Sequence, residues 1–497
     1  MTKEHTSVLC IGAGPAGLTA GYLLAQEGRS VRILEQDSRY VGGISRTVEY
    51  RGFGFDIGGH RFFSKSPDIE QLWRELLGED FLLRPRKSRI FYRGQLFDYP
   101  LRAADALGKL GLFEAARCVG SYLAACCRRY DQPPAHFEEW VTRHFGRRLF
   151  EIFFKTYTEK VWGMKCTEIS ADWAAQRIRG LSLLTAIWHA LWPQSDAVAR
   201  ERTIKTLVHE FHYPRRGPGM LWQTTADKIR AMGGDVCLGQ TVVALQWNQG
   251  SGQWTVTGRS ALGETTEWYA DHVVSSLPMP YLIGVLEDTV PEPVREAAAA
   301  LRHRDFLVVA LIVRERQRFD DNWIYIHEPH VQVGRIQNFK SWSPEMVPDP
   351  ALTCYGMEYF CFEGDGLWNA SDEQLVTLAR SELVTLGLAE QADILDGVVV
   401  RQAKAYPVYD EGYEARVAVL RNWLEARYPT LHLVGRNGMH KYNNQDHAMK
   451  TAMLTVKNIL AGKCLYDVWA VNQDAEYHEE SLAGEDQGER WVPRCVS

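Results

Sequence analysis

Residues 7–12 read SVLCIG, and a glycine turn, an apolar-periodic helix and a second apolar run closing on Glu35 follow. Few folds accommodate that order. An apolar run ending in glycine suits a strand buried in a parallel sheet. The turn is Gly12-Ala-Gly14-Pro-Ala16-Gly17. Gly12 permits the tight turn, Gly14 lets backbone approach a pyrophosphate, and Gly17 lets helix and strand pack closely. The helix N-terminus then offers free N–H groups and the positive end of its dipole to phosphate oxygens. Glu35 lies 23 residues after Gly12, where a carboxylate can accept from ribose hydroxyls. A lone GxGxxG says little, but strand, helix and distant acid together specify a dinucleotide site.

The next two turns decide which dinucleotide. Val41-Gly42-Gly43-Ile44-Ser45-Arg46-Thr47 allows a second close approach of backbone to phosphate, with Arg46 supplying charge. Phe55-Asp56-Ile57-Gly58-Gly59-His60 adds a third glycine pair before a histidine. A simple NAD fold does not need those extra turns, whereas an extended FAD does. FAD is therefore the expected cofactor, with Gly12, Gly14, Ala16, Gly17, Glu35, Gly42, Gly43, Ser45, Arg46, Gly59 and His60 along it.

Composition narrows the classes further. A chain of 497 residues predicts two or three domains, and 45% hydrophobic residues supply a deep core. A net charge of −6 argues against a nucleic-acid polymer as partner. The ten cysteines lack metal-ligand spacing, so no metal site is expected and the thiols are read as reduced, in a cytoplasmic protein. The N-terminus runs directly into the first strand, which leaves no room for a signal peptide. No apolar stretch reaches the roughly 20 residues of a bilayer span. The Trp-rich run at 181–192 is read as a buried or interdomain helix in preference to a membrane-surface one.

Four further blocks carry a resemblance: GGHRFF at 58–63, FYRGQLFDYPL at 91–101, KTYTEKVWG at 155–163 and GRNGMHKYNNQD at 435–446. With the N-terminal block they resemble the FAD superfamily of amine oxidases, protoporphyrinogen oxidases, phytoene desaturases and UDP-galactopyranose mutases, and within it the mutase branch. The resemblance places His60 beside the isoalloxazine. It implies that Gly435, Arg436, Asn444 and Asp446 lie along the flavin and that Val242 offers its backbone to the adenine. Arg436 and Tyr442 keep the mutase spacing, while Asn444 replaces the first of two acidic residues. It further implies that Trp162, Arg177, Arg179, Arg304, Tyr406 and Tyr442 meet the substrate, and that His60, Arg304, Tyr406, Arg436 and Tyr442 serve the reaction. Gln176-Arg177-Ile178-Arg179 lacks the proline and spacing of the mutase arginine pair.

The pattern predicts an α/β protein. A Rossmann-type FAD-binding domain is assembled from residues 1–95, 205–285 (with a β-meander) and 430–465. A mainly helical insert spans 96–204, an antiparallel β-sheet substrate domain spans 286–429, and an acidic tail covers 466–497. Two activities remain open at this point. The resemblance to mutases implies attack by the N5 of reduced flavin on the anomeric carbon of a nucleotide sugar, then ring opening and contraction. The wider superfamily implies an oxidoreductase acting on amine or C–H bonds, or a desaturase. NAD(P)H or another reductant, and an oligomer, stay open as partners.

Overall fold

The computed structural model describes residues 5–472 apart from 100, 102, 170, 172–209 and 317. The first strand, His5–Ile11, has parallel neighbours on both sides, Val31–Leu34 and Thr265–Ser275. Its residues 8–11 are all buried, as a strand covered on both faces requires. Asp235–Cys237 extends the sheet beyond Val31–Leu34, again in parallel. The long strand Thr265–Ser275 divides its free edge. Its first half pairs antiparallel with Gln253–Arg259, which pairs with Thr241–Asn248 to form a meander. Its last residues pair in parallel with Leu431–Leu433. A segment over 400 residues from the N-terminus thus ends beside the first glycine turn. The helices Pro15–Gln26 and Gln445–Ala461 share one apolar core there, built around Leu18, Leu24, Trp222, Met449 and Met453.

The second sheet runs in the order Ile394–Pro407, His303–Arg314, Leu352–Cys361, Arg335–Asn338, Trp323–Ile326, Ser88–Tyr92, Gln95–Asp98. The expected antiparallel sheet is in fact mixed, because Ser88–Tyr92 runs parallel to Trp323–Ile326. The 88–98 hairpin therefore belongs to this sheet, and the expected boundary at residue 95 falls at its second strand. Its side chains explain the placement: Phe91 packs with Leu307, Ile324 and Ile336 in the core of the second sheet. Strands of this kind cannot be assigned to a sheet from local pattern, since pairing is a long-range choice.

A bulge in the central pair shapes the working end of this sheet. Arg304 opposes Tyr406 and Phe306 opposes Gln402, so extra residues on the second strand face Asp305. The buried Asp305 carboxylate pins that bulge by accepting from the backbone N–H groups of Lys404 (2.6 Å) and Glu363 (2.5 Å). Bulges of this sort re-aim the side chains beside them, here Arg304 and Tyr406.

The helical insert includes Leu112–Cys127, Phe137–Phe145 and a continuous run from Arg147 to Trp162 that passes through one π-helical stretch, Phe150–Lys155. It is locked to the second sheet by two cations, the half-buried Lys160 and the buried Arg304. Lys160 Nζ donates to the carbonyls of Ile326 (3.3 Å), Glu328 (2.6 Å) and Val333 (3.1 Å). Burial draws its pKa down to about 8. Arg304 reaches the other way, donating to the carbonyls of Lys160 (3.0 Å) and Val161 (2.9 Å) at the helix C-terminus and of Phe360 (2.7 Å). Cations at that helix end also complement its dipole. Gly163 closes the helix at φ +59°, and a Cβ there would lie 1.7 Å from Arg304 Nη1. Gly163→Ala is expected to destabilise the protein by about 2–4 kcal/mol, from the left-handed backbone and the overpacking together. Urea unfolding followed by tryptophan fluorescence would register it, and an unchanged midpoint would show that the guanidinium moves aside freely.

Among the described residues, Cys10, Cys118, Cys166, Cys354 and Cys361 are buried thiols. Cys464 is disulfide-bonded, which corrects the expectation of uniformly reduced thiols; spacing in a sequence does not reveal which sulfurs a fold brings together. Among the described residues no helix is long and apolar enough to cross a membrane.

Candidate active site

The first glycine turn is built as a phosphate cradle. Gly12 takes φ +97°, and a side chain there would collide with Ser276 Oγ at 2.3 Å. Gly17 has no room either, since its Cβ would meet Gly12 O at 1.9 Å. Gly14 faces Gly43 across the turn; a Cβ on Gly43 would sit 3.4 Å from Gly14 Cα. Pro15–Gln26 starts from Gly14 without a side-chain cap, so its first N–H groups remain available to an anion. Gly42, at φ +101°, and Gly43, at φ +56°, open the second turn. Ser45 N–H donates to Gly42 O and the serine is buried.

Glu35 is 8% exposed, and burial raises its carboxyl pKa. Its two oxygens each accept one backbone N–H, from Asp37 (2.9 Å) and Ala13 (2.7 Å). Each oxygen keeps lone pairs for further donors, as two ribose hydroxyls would be. Arg46 Nη1 donates to Gly43 O (2.8 Å) and to Gln402 (2.6 Å) of the second sheet. Its buried Nε has no hydrogen-bond partner. Empty Cβ positions, an uncapped helix start, an under-used buried carboxylate and this orphaned donor fit an adenine dinucleotide with its pyrophosphate. Val242 lies buried on the meander strand, with its carbonyl already accepting from Tyr281 hydroxyl at 2.9 Å. Any contact it makes to an adenine must use its remaining backbone surface.

The C-terminal block returns to the same place. Gly435, at φ +79°, donates its N–H to Thr451 Oγ1 (3.0 Å), and its absent Cβ leaves room for Ala16. Asn444 is the N-cap of Gln445–Ala461, where His447 Nδ1 accepts from the Asn444 N–H at 3.2 Å. Asp446 lies buried in the first turn of that helix.

Arg436 lies over two tyrosines. Its guanidinium carbon is 5.1 Å from the Tyr406 ring centre and 5.2 Å from that of Tyr442. The two rings are stacked at 5.6 Å and 14°. Nε donates to Asn443 O (2.9 Å) and Nη1 to Ala405 O (3.0 Å). Burial raises the Tyr406 hydroxyl above its ordinary pKa, with Tyr442 adding to the shift. His60 Nε2 contacts Ile57 O at 3.0 Å. Burial first, then the nearby charges of Arg436 and Arg335, pull its pKa down to about 4. A neutral imidazole results at any pH near 7. His60, Tyr406, Arg436 and Tyr442, drawn from three distant stretches, thus converge at one site. Gly59 packs tightly against Gln337 and Trp342, leaving no space for a side chain.

Other expected site residues stand differently. Arg304 is buried and its Nε and Nη2 are occupied by carbonyls, while Nη1 abuts Gly163. Through Nε and Nη2 it locks the helical insert in place. Trp162 is 7% exposed and belongs to the insert's core with Phe150, Phe153 and Cys166. Arg177, Arg179 and the 181–192 run lie outside the described residues. Sequence reasoning passed over Arg335, Gln337 and Glu358, which form a buried polar chain at the same end of the second sheet. A signal was available: Glu358 is a lone charge inside LTCYGMEYFC, an otherwise apolar run. Lone charges on buried strands are retained when paired.

A dinucleotide-binding sheet joined to a second sheet, with the flavin cradle between, defines a flavoprotein enzyme that binds FAD. Flavin containing amine oxidoreductases match residues 15–457, and the chain belongs to that family. It is 30% identical over 176 residues to dTDP-fucopyranose mutase of Escherichia coli, a stretch covering 33% of this chain and 44% of that one. It therefore spans less than half the length of that relative. It is 24% identical over 457 residues to coproporphyrinogen III oxidase of Mycobacterium tuberculosis, covering 86% of this chain and 92% of that one. The fold is that of reduced UDP-galactopyranose mutase, with a TM-score of 0.78, 22% identity, and coverage of 92% and 94% of the two chains.

Proposed function

We propose that this FAD enzyme isomerises a nucleotide sugar by mutase chemistry, without net redox change. The observation that carries the reading is the Arg436–Tyr406–Tyr442 stack beside a neutral His60. A guanidinium with one remaining nitrogen and two phenol hydroxyls suits the oxygens of a diphosphate. When bound and reduced, FAD supplies a nucleophilic nitrogen for the anomeric carbon. Arg436 then holds the departing diphosphate close and balances its charge. Tyr406 and Tyr442, whose stacking fixes both rings, donate hydrogen bonds to it and keep it in place for return. His60, uncharged, adds no competing cation. The bulge pinned by Asp305 keeps Tyr406 in register with that task.

A second reading is a flavin oxidoreductase, and the alignment over 457 residues to coproporphyrinogen III oxidase favours it. One experiment separates the two. The yellow protein is reduced anaerobically and given a panel of UDP- and dTDP-sugars, with products resolved by chromatography. Isomerisation that needs reduced flavin and consumes none is the expected result. Stoichiometric bleaching of oxidised flavin by a substrate, with peroxide formed on admitting air, would replace the mutase reading with the oxidoreductase one.

A further inference from the structure

The strand Ile394–Pro407 reaches the site through a bulge held by side chains from three separate parts of the chain. Phe306 opposes Gln402 and Arg304 opposes Tyr406, so Ala403, Lys404 and Ala405 together face the single residue Asp305. Lys404 takes φ +53°, a left-handed conformation that a Cβ disfavours. Such a residue persists only where its surroundings over-determine it, and such places cluster at working sites. Asp305 accepts the Lys404 N–H, Asn437 Nδ2 donates to Lys404 O (2.9 Å) and Arg436 Nη1 donates to Ala405 O (3.0 Å). At the start of the bulge, Gln402 Oε1 accepts from Arg46 Nη1 at 2.6 Å, while Gln402 Nε2 donates to Ala403 O at 2.9 Å.

The Arg46 contact comes from the cofactor side. The same Nη1 donates to Gly43 O (2.8 Å) of the second glycine turn, and the buried Nε is the orphaned donor of the cradle. The guanidinium also feels the charges of Asp37 and Glu35. One side chain therefore faces the dinucleotide and holds the first residue of the bulge. Four residues later the same bulge ends at Tyr406, stacked on Tyr442 and lying under Arg436.

We propose that Gln402 is a positioning residue that couples the FAD cradle to the Tyr406–Arg436 stack. FAD seated against Arg46 holds Gln402, and with it the bulge, in the form that receives the anion of the substrate. An anion at the stack holds FAD in return, and linkage makes the two effects equal in size. The proposal rests on the anion site of the mutase reading and adds how that site is tied to the cofactor.

The test uses the intact holoprotein, diluted in steps while released FAD is read by its fluorescence. This gives the FAD dissociation constant alone and with saturating UDP or inorganic pyrophosphate, whose binding is followed by tryptophan fluorescence. In wild type, either anion should tighten FAD by about 5- to 50-fold. In Q402A the anion should still bind but tighten FAD by less than about two-fold. Q402E keeps an acceptor for Arg46 and should retain most of the wild-type ratio. A general loss of stability would leave that ratio untouched, so the ratio separates coupling from mere support. Should Q402A fail to fold, Q402N, one methylene too short to reach Arg46, makes the same comparison. A wild type whose FAD affinity ignores both anions, or a Q402A protein that keeps the wild-type ratio within about two-fold, would overturn the proposal. Coupling that depends on Gln402, in a protein that isomerises no UDP- or dTDP-sugar, would remove the mutase reading alone. Isomerisation by a wild type without coupling would remove this proposal alone.

Discussion

Arg436→Ala is expected to lower kcat/KM by about 100- to 1000-fold, the scale seen when one preorganised donor is taken from developing negative charge. The guanidinium lies over both stacked tyrosines and is tied to Ala405 O and Asn443 O. Its removal takes the charge from the diphosphate site and the donors from two backbone carbonyls. The second effect loosens the surrounding loops by about 1–3 kcal/mol per buried carbonyl left unpaired. Flavin content should change little, because the cradle at Gly12–Gly17 and Glu35 lies elsewhere. Steady-state kinetics with the flavin-to-protein absorbance ratio make the comparison. Near wild-type turnover in a fully yellow variant would take Arg436 out of the chemistry. Arg436→Lys keeps the charge and loses the fork, so it should fall between the two.

Glu35→Ala should show the opposite split. Its carboxylate holds the turn by accepting from Ala13 and Asp37 and retains lone pairs for ribose. Hydrogen bonds to a charged acceptor contribute about 1.5–3 kcal/mol, so FAD affinity should weaken by roughly 10- to 100-fold. The purified variant should be pale, regain colour on adding FAD, and then turn over normally. Glu35→Gln keeps an acceptor oxygen and should lose less. A variant as yellow as wild type would assign the ribose to another residue.

These two residues differ in how they could be found. Glu35 is legible because its role follows from local order: strand, glycine turn, helix, strand, acid. Gly42 and Gly43 are legible for the same reason, whereas the place of His60 comes from the resemblance. Arg436 and Tyr442 come from a resemblance carried by one block, and the fold does bring them to Tyr406 and His60. Arg304 shows where that route stops. Its place at the head of a long apolar strand suits a ligand-facing charge, yet the bulge at Asp305 and the close helix end at Gly163 turn it onto carbonyls. Trp162 likewise sits in a motif but packs in the insert's core. Glu358 matches no motif, and its partner becomes visible only once Arg335 lies opposite it.

By itself the sequence determined the cofactor and its cradle, because those depend on backbone conformations that glycine permits and on spacing within about thirty residues. The return of the chain at Gly435–Asp446 came instead from the resemblance that this block carries. Only the tertiary structure decided that the 88–98 hairpin joins the second sheet, that Arg304 locks the helical insert, and that Arg335 meets Glu358. Each of those outcomes depends on which distant carbonyl or carboxylate a donor meets, and strand pairing over hundreds of residues makes that choice.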